Sequence, residues 1–343
     1  MTASGHFDVV GASAALGLFG SLDAVRLGHG YLFTGPSGVG KKTFARRLAQ
    51  SLLCETPKTT LLGYCNACTG CTLFTAGTHP DFFESLGQVR IGDRDGRAGI
   101  GEEITSRDLV RALGLHAYRA AWRVLLLGDV EFATHEAANA LLKFFEEPPA
   151  GVLVMLTTDA PGSLLATIRS RFVEVPFRSL TSAEIAGTLE RDGVPQARAQ
   201  DVARTALGSL TAARAMVDEG GTTLRNASFG WFADAVAGRP PDATFLRLED
   251  RDVGGAEKRA LVGSFVGFVR TAARDWAAIG LADDVPLLAE DERGRLHATG
   301  KRGPRETAAL LGAIADAQRL ADTNVSPALI VDFLRMQLAP PNR

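Results

Sequence analysis

The stretch Gly35-Pro36-Ser37-Gly38-Val39-Gly40-Lys41-Lys42-Thr43 decides the fold of this chain. It follows an apolar run at Tyr31–Phe33 and opens a segment, Thr43–Cys54, whose Phe, Ala and Leu residues recur at helical spacing. A strand, a glycine-rich turn and a helix, in that order, are the setting in which a phosphate-binding loop works. Gly35, Gly38 and Gly40 let successive backbone N–H groups curl inward. The helix N-terminus adds partial positive charge, and Lys41 reaches the outer phosphates. The pattern G-x(4)-G-K-[S/T] holds up to its last position. There Lys42 replaces the hydroxyl that would bind magnesium, and Thr43 follows one residue late. The loop is expected to hold phosphate with impaired metal chemistry. The competing reading is a glycine turn in an α/β protein that binds no nucleotide.

Outward from this loop, strands and helices alternate. An amphipathic helix is expected over Ala14–Leu27, ahead of the first strand. After the loop's helix comes His79-Pro80-Asp81-Phe82, turning into a short strand. A charged, glycine-rich loop or hairpin follows at Gln88–Gly101, then a helix at Thr105–His116. Trp122–Leu127 and Val152–Thr157 read as buried strands. Ala133–Glu147 reads as a helix stopped by Pro148-Pro149, and Pro161–Ser170 as a helix leading to Arg171. Such alternation means a parallel sheet covered on both faces. From Thr181 onward the segments are Ala/Leu/Arg-rich with helical period, opened by a capping box of Thr181 and Glu184. Gly220-Gly221 reads as a linker, and Leu224–Leu338 as helical throughout.

The chain has 343 residues, a formal net charge of -2 and 22% charged residues, ordinary values for a soluble globular protein of about two to three domains. With no global basic excess, nucleic-acid binding by the chain alone would need a local patch. No signal peptide and no segment of ~20 apolar residues is evident, so a cytoplasmic protein without a membrane span is expected.

All four cysteines fall within eighteen residues, as Cys54-x(10)-Cys65-x(2)-Cys68-x(2)-Cys71. Four thiolates so spaced can close tetrahedrally round a zinc ion with no open position, which makes a structural rather than a catalytic site. Free thiols and disulfides are the alternatives, the latter disfavoured in the cytoplasm. A third signal is Val124-Leu125-Leu126-Leu127-Gly128-Asp129. A P-loop ATPase ends such a strand in an acidic pair, an Asp for magnesium and a Glu to polarise water. Here the pair is Gly128 and Asp129, so both usual magnesium ligands are missing, at Lys42 and Gly128. A plain buried strand fits Val124–Asp129 equally well.

Asn139-Ala-Leu-Leu-Lys-Phe-Phe-Glu-Glu-Pro-Pro149 closely resembles the segment after this strand in the AAA+ clamp-loader ATPases of bacterial DNA polymerase III. The cysteine cluster resembles their zinc module, and Ile168-Arg-Ser-Arg171-Phe172 their Ser-Arg-Cys motif, with Phe172 in place of the Cys. The resemblance covers residues 1 to about 217. It implies that Arg171 is an arginine finger reaching the ATP of a neighbouring subunit, since a guanidinium can stabilise transferring phosphoryl charge in trans. It puts Thr157 or Thr158 at a γ-phosphate sensor. In Gly208-Ser-Leu-Thr211, Thr211 stands where the lid motif has arginine, and Arg214 reads as a surface residue.

The implied architecture is an AAA+ P-loop domain at 1–178 carrying the four-Cys module at 54–71, a helical lid at 179–221, and an all-α collar at 222–343. The implied role is a non-motor subunit of the polymerase holoenzyme, without intrinsic ATPase, that holds ATP or ADP at most without hydrolysis through Gly35, Gly38, Gly40, Lys41, Lys42, Thr43, Asp129 and Thr157. Its implied partners are gamma/tau and delta subunits in a hetero-pentamer, and through them the β sliding clamp and primer–template DNA. Two other readings stay open. One is a gamma/tau-type motor, with Asp129 on the metal and Thr43 supplying the hydroxyl. The other is a zinc-binding scaffold that uses neither ATP nor a finger.

Overall fold

The structure, a computed structural model, describes residues 7, 9–23, 26–56, 60–86, 118–130, 141–142, 144–146, 148–217, 219–282, 284–321 and 325–340. The loop expected at 88–101, the helix expected at 105–116 and most of the one expected over 133–147 lie outside these residues. Two compact units divide the chain, one of residues 1–184 with 208–210, the other of 185–207 with 211–343.

The first unit is built on five parallel strands: β1 (Gly30–Thr34), β2 (Phe82–Leu86), β3 (Arg123–Gly128), β4 (Val152–Thr158) and β5 (Val173–Pro176). Their order across the sheet is β2-β3-β4-β1-β5. Every position of β1, β3 and β4 is buried, as near-continuous apolar runs demand when both faces are covered. Side chains alternate between two cores. Tyr31, Phe33, Val124, Leu126, Leu153 and Met155 face α1 (Ser13–Ser21) and α2 (Lys41–Leu53) through Phe19, Phe44 and Leu48. Leu32, Leu125, Val152, Val154 and Leu156 face Phe144, Phe145, Ile168 and Phe172. Four phenylalanines, 19, 33, 44 and 177, stack edge-on or tilted at 5.6–6.1 Å under the loop.

Three expectations are corrected in detail. The helix expected over 14–27 ends at Ser21, where Leu22 turns extended. The helix expected over 161–170 is a 3-10 turn, Pro161–Ser163, and a one-turn helix α4 (Ala166–Arg169), separated by the extended Leu164 and Leu165. Strand β5 was not anticipated. It is four residues long, exposed at three of them, and ends in a proline that an edge strand tolerates.

Asp81 closes the path back into β3. Its buried carboxylate accepts from the backbone N–H groups of Tyr118 (2.6 Å), Arg119 (2.8 Å) and Ala120 (3.1 Å). Burial pushes its pKa up, but these three donors outweigh it and hold the group below the usual carboxylate range.

The second unit contains helices and no strand among its described residues. The helices are α5 (Ser182–Arg191), α6 (Gln196–Thr205), α7 (Leu210–Val217), α8 (Glu219–Val236), α9 (Gly255–Leu281), α10 (Arg293–His297), α11 (Pro304–Ala321) and α12 (Pro327–Leu338). The first of these begins in the other unit, and the capping box there is formed. Thr181 N–H donates to Glu184 (2.9 Å), and Glu184 N–H donates to Thr181 Oγ1 (3.2 Å). Helix α9, with Phe265, Val269 and Trp276 inward, packs against α8, α11 and α12. Gly220 and Gly221 are not the expected linker but lie in the first turn of α8. Glycine is a weak helix former, but the buried Phe229, Phe232 and Val236 further along α8 hold the helix in place. Among the described residues no helix is long and apolar enough to cross a membrane.

Candidate functional site

In an open parallel sheet, ligands bind beyond the carboxyl ends of the strands. The residues singled out in the sequence converge there: Gly35 after β1, Asp129 after β3, Thr157 and Thr158 at the end of β4. Gly35 is required by the fold itself. Its φ is +136°, and a Cβ there would lie 2.1 Å from the Phe177 carbonyl oxygen. Gly40, at φ 101°, is the N-cap of α2 and offers no side chain, so the first-turn N–H groups of α2 are left to the loop.

Lys41 is 5% exposed, and its ammonium donates at 2.6 Å to Gly35 O, to Pro36 O and to Asp159 Oδ1. These three acceptors match its three donors, so a phosphate would enter by taking the place of Asp159. Sequence reasoning missed Asp159; its signal was only a carboxylate directly after the Thr157-Thr158 strand end.

Lys42, at the position of the missing hydroxyl, pairs with Asp129 at 2.5 Å. The substituted residue and the one acid left of the usual acidic pair neutralise each other. Asp129 has a left-handed backbone, φ 54°, a conformation that costs on the order of 1 kcal/mol in a non-glycine residue. Its N–H donates to Thr157 Oγ1 (3.3 Å), whereas the Thr158 hydroxyl accepts from Ala160 N–H (3.1 Å). Thr43 is exposed and stands about 100° further round the helix than Lys42. Gly208 sits against Ser179 and Leu180, and the next residues dock on the loop through Leu210 N–H to Gly38 O (3.0 Å). Arg214 pairs with Asp192 at 2.8 Å within its own unit.

Arg171 lies just past α4, between the buried Ile168 and Phe172. Its guanidinium donates to the Thr167 carbonyl and to the Glu146 carboxylate.

The four cysteine sulfurs lie within 4.8 Å of one another and could hold a metal ion. The sulfur–sulfur separations include 3.7 Å for Cys54–Cys65, 3.9 Å for Cys54–Cys68 and 4.0 Å for Cys65–Cys71. Four ligands at a zinc–sulfur bond of about 2.3 Å stand about 3.8 Å apart, so the donor set fits zinc. Cys54 ends α2, and Cys68 caps α3 (Thr69–Thr75) by accepting from Cys71 N–H at 3.4 Å. Cys65 accepts from the N–H groups of Cys68 (3.2 Å) and Ala67 (3.4 Å). The Thr56 hydroxyl, then these two amides, bring the Cys65 thiol down to about 5, whereas burial pushes Cys71 up to about 12. Polar ties hold the module to α2, with Gln50 Nε2 donating to Asn66 Oδ1 at 3.1 Å and Ser51 bonded to Gly63.

A parallel sheet with a glycine loop at the start of α2, and its polar residues gathered at the carboxyl edge, defines the class as a P-loop α/β protein. Residues 14–181 match a protein-family model described as DNA polymerase III, delta subunit. The delta-prime subunit of DNA polymerase III from Pseudomonas aeruginosa is 37% identical over 43% of this chain and 42% of its own length. The tau subunit from Escherichia coli is 34% identical over 62% of this chain and 32% of its own length. The delta-prime subunit from Bacillus subtilis is 32% identical over 52% of this chain and 51% of its own length. Over these segments the chain is similar to subunits of DNA polymerase III. It spans about a third to a half of the length of these relatives, and both delta-prime and tau kinds are among them. Among solved structures, a gamma subunit-related protein of Thermotoga maritima overlaps 92% of this chain and 96% of its own at 16% identity, with a TM-score of 0.41.

Proposed function

We propose that the chain is a delta-prime-type subunit of the clamp loader, a non-motor member that serves a neighbour's active site instead of its own. The single observation carrying this reading is the Lys42–Asp129 ion pair. It puts a fixed ammonium where a motor subunit needs a divalent cation between a loop hydroxyl and an acid. A gamma/tau-type motor would have to break that pair and recruit Thr43, which points elsewhere. The loop holds ATP or ADP through its amides and Lys41, without turnover.

In this reading Arg171 is the finger, donated to the adjacent gamma/tau subunit's ATP. The first unit is an AAA+ domain, and the helices of the second unit supply a lid and a collar that joins gamma/tau and delta subunits in a hetero-pentamer. The exposed Leu329 and Met336, with the half-buried Phe333, line one side of α12 at helical spacing and support an oligomerising role. The assembly loads the β clamp on primer–template DNA, contacting the duplex backbone through basic side chains. Zinc at Cys54, Cys65, Cys68 and Cys71 is structural and supplies folding energy to a module too small for its own core.

The direct test is ATP turnover by the purified chain with magnesium. The proposal expects none above a Lys41→Ala control, and turnover abolished by that substitution would overturn it.

A further inference from the structure

We propose that Glu146 is the residue that positions Arg171, acting as a cis anchor that aims the finger. This inference rests on the finger reading above.

Glu146 and Arg171 come from separate segments, and two adjacent contacts bring them together. Phe145 stacks edge-on against Phe172 at 5.1 Å and 85°, both rings being buried. The residue after Phe145 and the residue before Phe172 then form the Arg171–Glu146 ion pair. An apolar lock thus fixes the distance between a carboxylate and a guanidinium at the protein surface. The lock depends on the Phe172 ring. Gly30 gives it room, since a Cβ at residue 30 would lie 2.8 Å from the Phe172 ring.

The guanidinium is held on two sides. Nη1 caps the end of α4 through Thr167 O, with Ser170 Oγ 3.5 Å away, while Nη2 bonds Glu146. A guanidinium has five N–H donors in a rigid plane. Two anchors on Nη1 and Nη2 fix that plane and leave other donors to face outward. Arg171 is 27% exposed and Glu146 48%, so the pair lies where a second subunit's phosphate can reach it. For stability alone such a pair is worth little. Its value is in holding a flexible side chain in the pose that a transferring phosphoryl group needs.

The experiment is steady-state ATP turnover of the reconstituted clamp-loader complex, with clamp and primed DNA. The variants of this subunit are Glu146→Ala, Glu146→Gln, Arg171→Ala and the double Glu146→Ala/Arg171→Ala. Glu146→Ala is expected to lower kcat on the order of tenfold with KM for ATP nearly unchanged, and Glu146→Gln, which keeps an acceptor, to lower it less. The double variant is expected to be no slower than Arg171→Ala, because Glu146 acts only through the finger. Wild-type kcat in Glu146→Ala beside a slow Arg171→Ala would overturn the positioning role and leave the finger standing. So would a double variant whose losses multiply. Wild-type turnover in Arg171→Ala would overturn the finger itself and the positioning role with it.

Discussion

Lys42→Thr restores the loop consensus in one substitution, and the structure sets what it should do. The Lys42 side chain is 38% exposed and that of Asp129 26%, with 2.5 Å between their charges. A pair so open to water contributes about 0–1 kcal/mol. A lysine in the first turn of α2 also opposes the helix dipole by about 0.3–1 kcal/mol, which offsets that gain. The variant should therefore keep its melting temperature within about 3 °C. Its binding chemistry should change more. In the wild type the ammonium already compensates Asp129 and repels a divalent cation. In the variant a hydroxyl and an uncompensated carboxylate become available, two of the oxygen ligands that magnesium takes alongside phosphate oxygens and water. Calorimetric titration with ATP, in magnesium or in excess chelator, reads the difference. The wild type is expected to bind equally in both, and the variant about tenfold more tightly with magnesium, a difference of about 1.4 kcal/mol. A wild type that loses affinity on chelation would refute the reasoning, because the cation would then have a place that Lys42 is said to fill. A variant still indifferent to magnesium would refute it equally.

Other outcomes can be checked separately. Cys68→Ser, or a strong chelator, should abolish zinc content measured by elemental analysis. It should also open the module to proteolysis near residues 54–71, since metal binding and folding are coupled there. Phe172→Ala removes a ring that is 8% exposed and should cost about 3–5 kcal/mol in urea unfolding of the first unit. Thr181→Ala should cost about 1 kcal/mol by removing the cap of α5. The Glu184 carboxyl, held down to about 2 by Arg178 and then by Thr181, supplies stability present above the usual value of 4.5 and lost as pH falls through about 2. The stability difference between wild type and Glu184→Gln should therefore be full at pH 6, reduced at pH 3, and gone below pH 2.

The parts of the fold that were legible are those with strong periodic or steric signals. Three continuous apolar runs became β1, β3 and β4 because burial on both faces leaves no polar alternation. The cysteine spacing brought the sulfurs to metal-ligand distances, and the capping box formed between the two residues that signalled it. The misses have physical causes. Strand β5 is an exposed edge of four residues, whose pairing with β1 carries no pattern of its own. The Gly220-Gly221 helix is decided by packing further along α8, which overrides local propensity. The site was half legible. Position 42 was readable as a departure from a motif. Its partner Asp129 was read as the shortened second acid of a degenerate pair, and as a metal ligand only in the motor alternative, because a sequence cannot show that two positions answer each other across a sheet. Asp159 and Glu146 gave almost no signal, since the sequence does not show which segment each pairs with.

On the proposed function the chain lends chemistry to a neighbour and does none at its own loop. The measurement is clamp- and DNA-stimulated ATP turnover of the reconstituted complex carrying either Arg171→Ala or Lys41→Ala in this subunit. The account predicts a marked loss of turnover for Arg171→Ala and near-wild-type turnover for Lys41→Ala. A loss for Lys41→Ala with Arg171→Ala silent would contradict it and make the chain a motor.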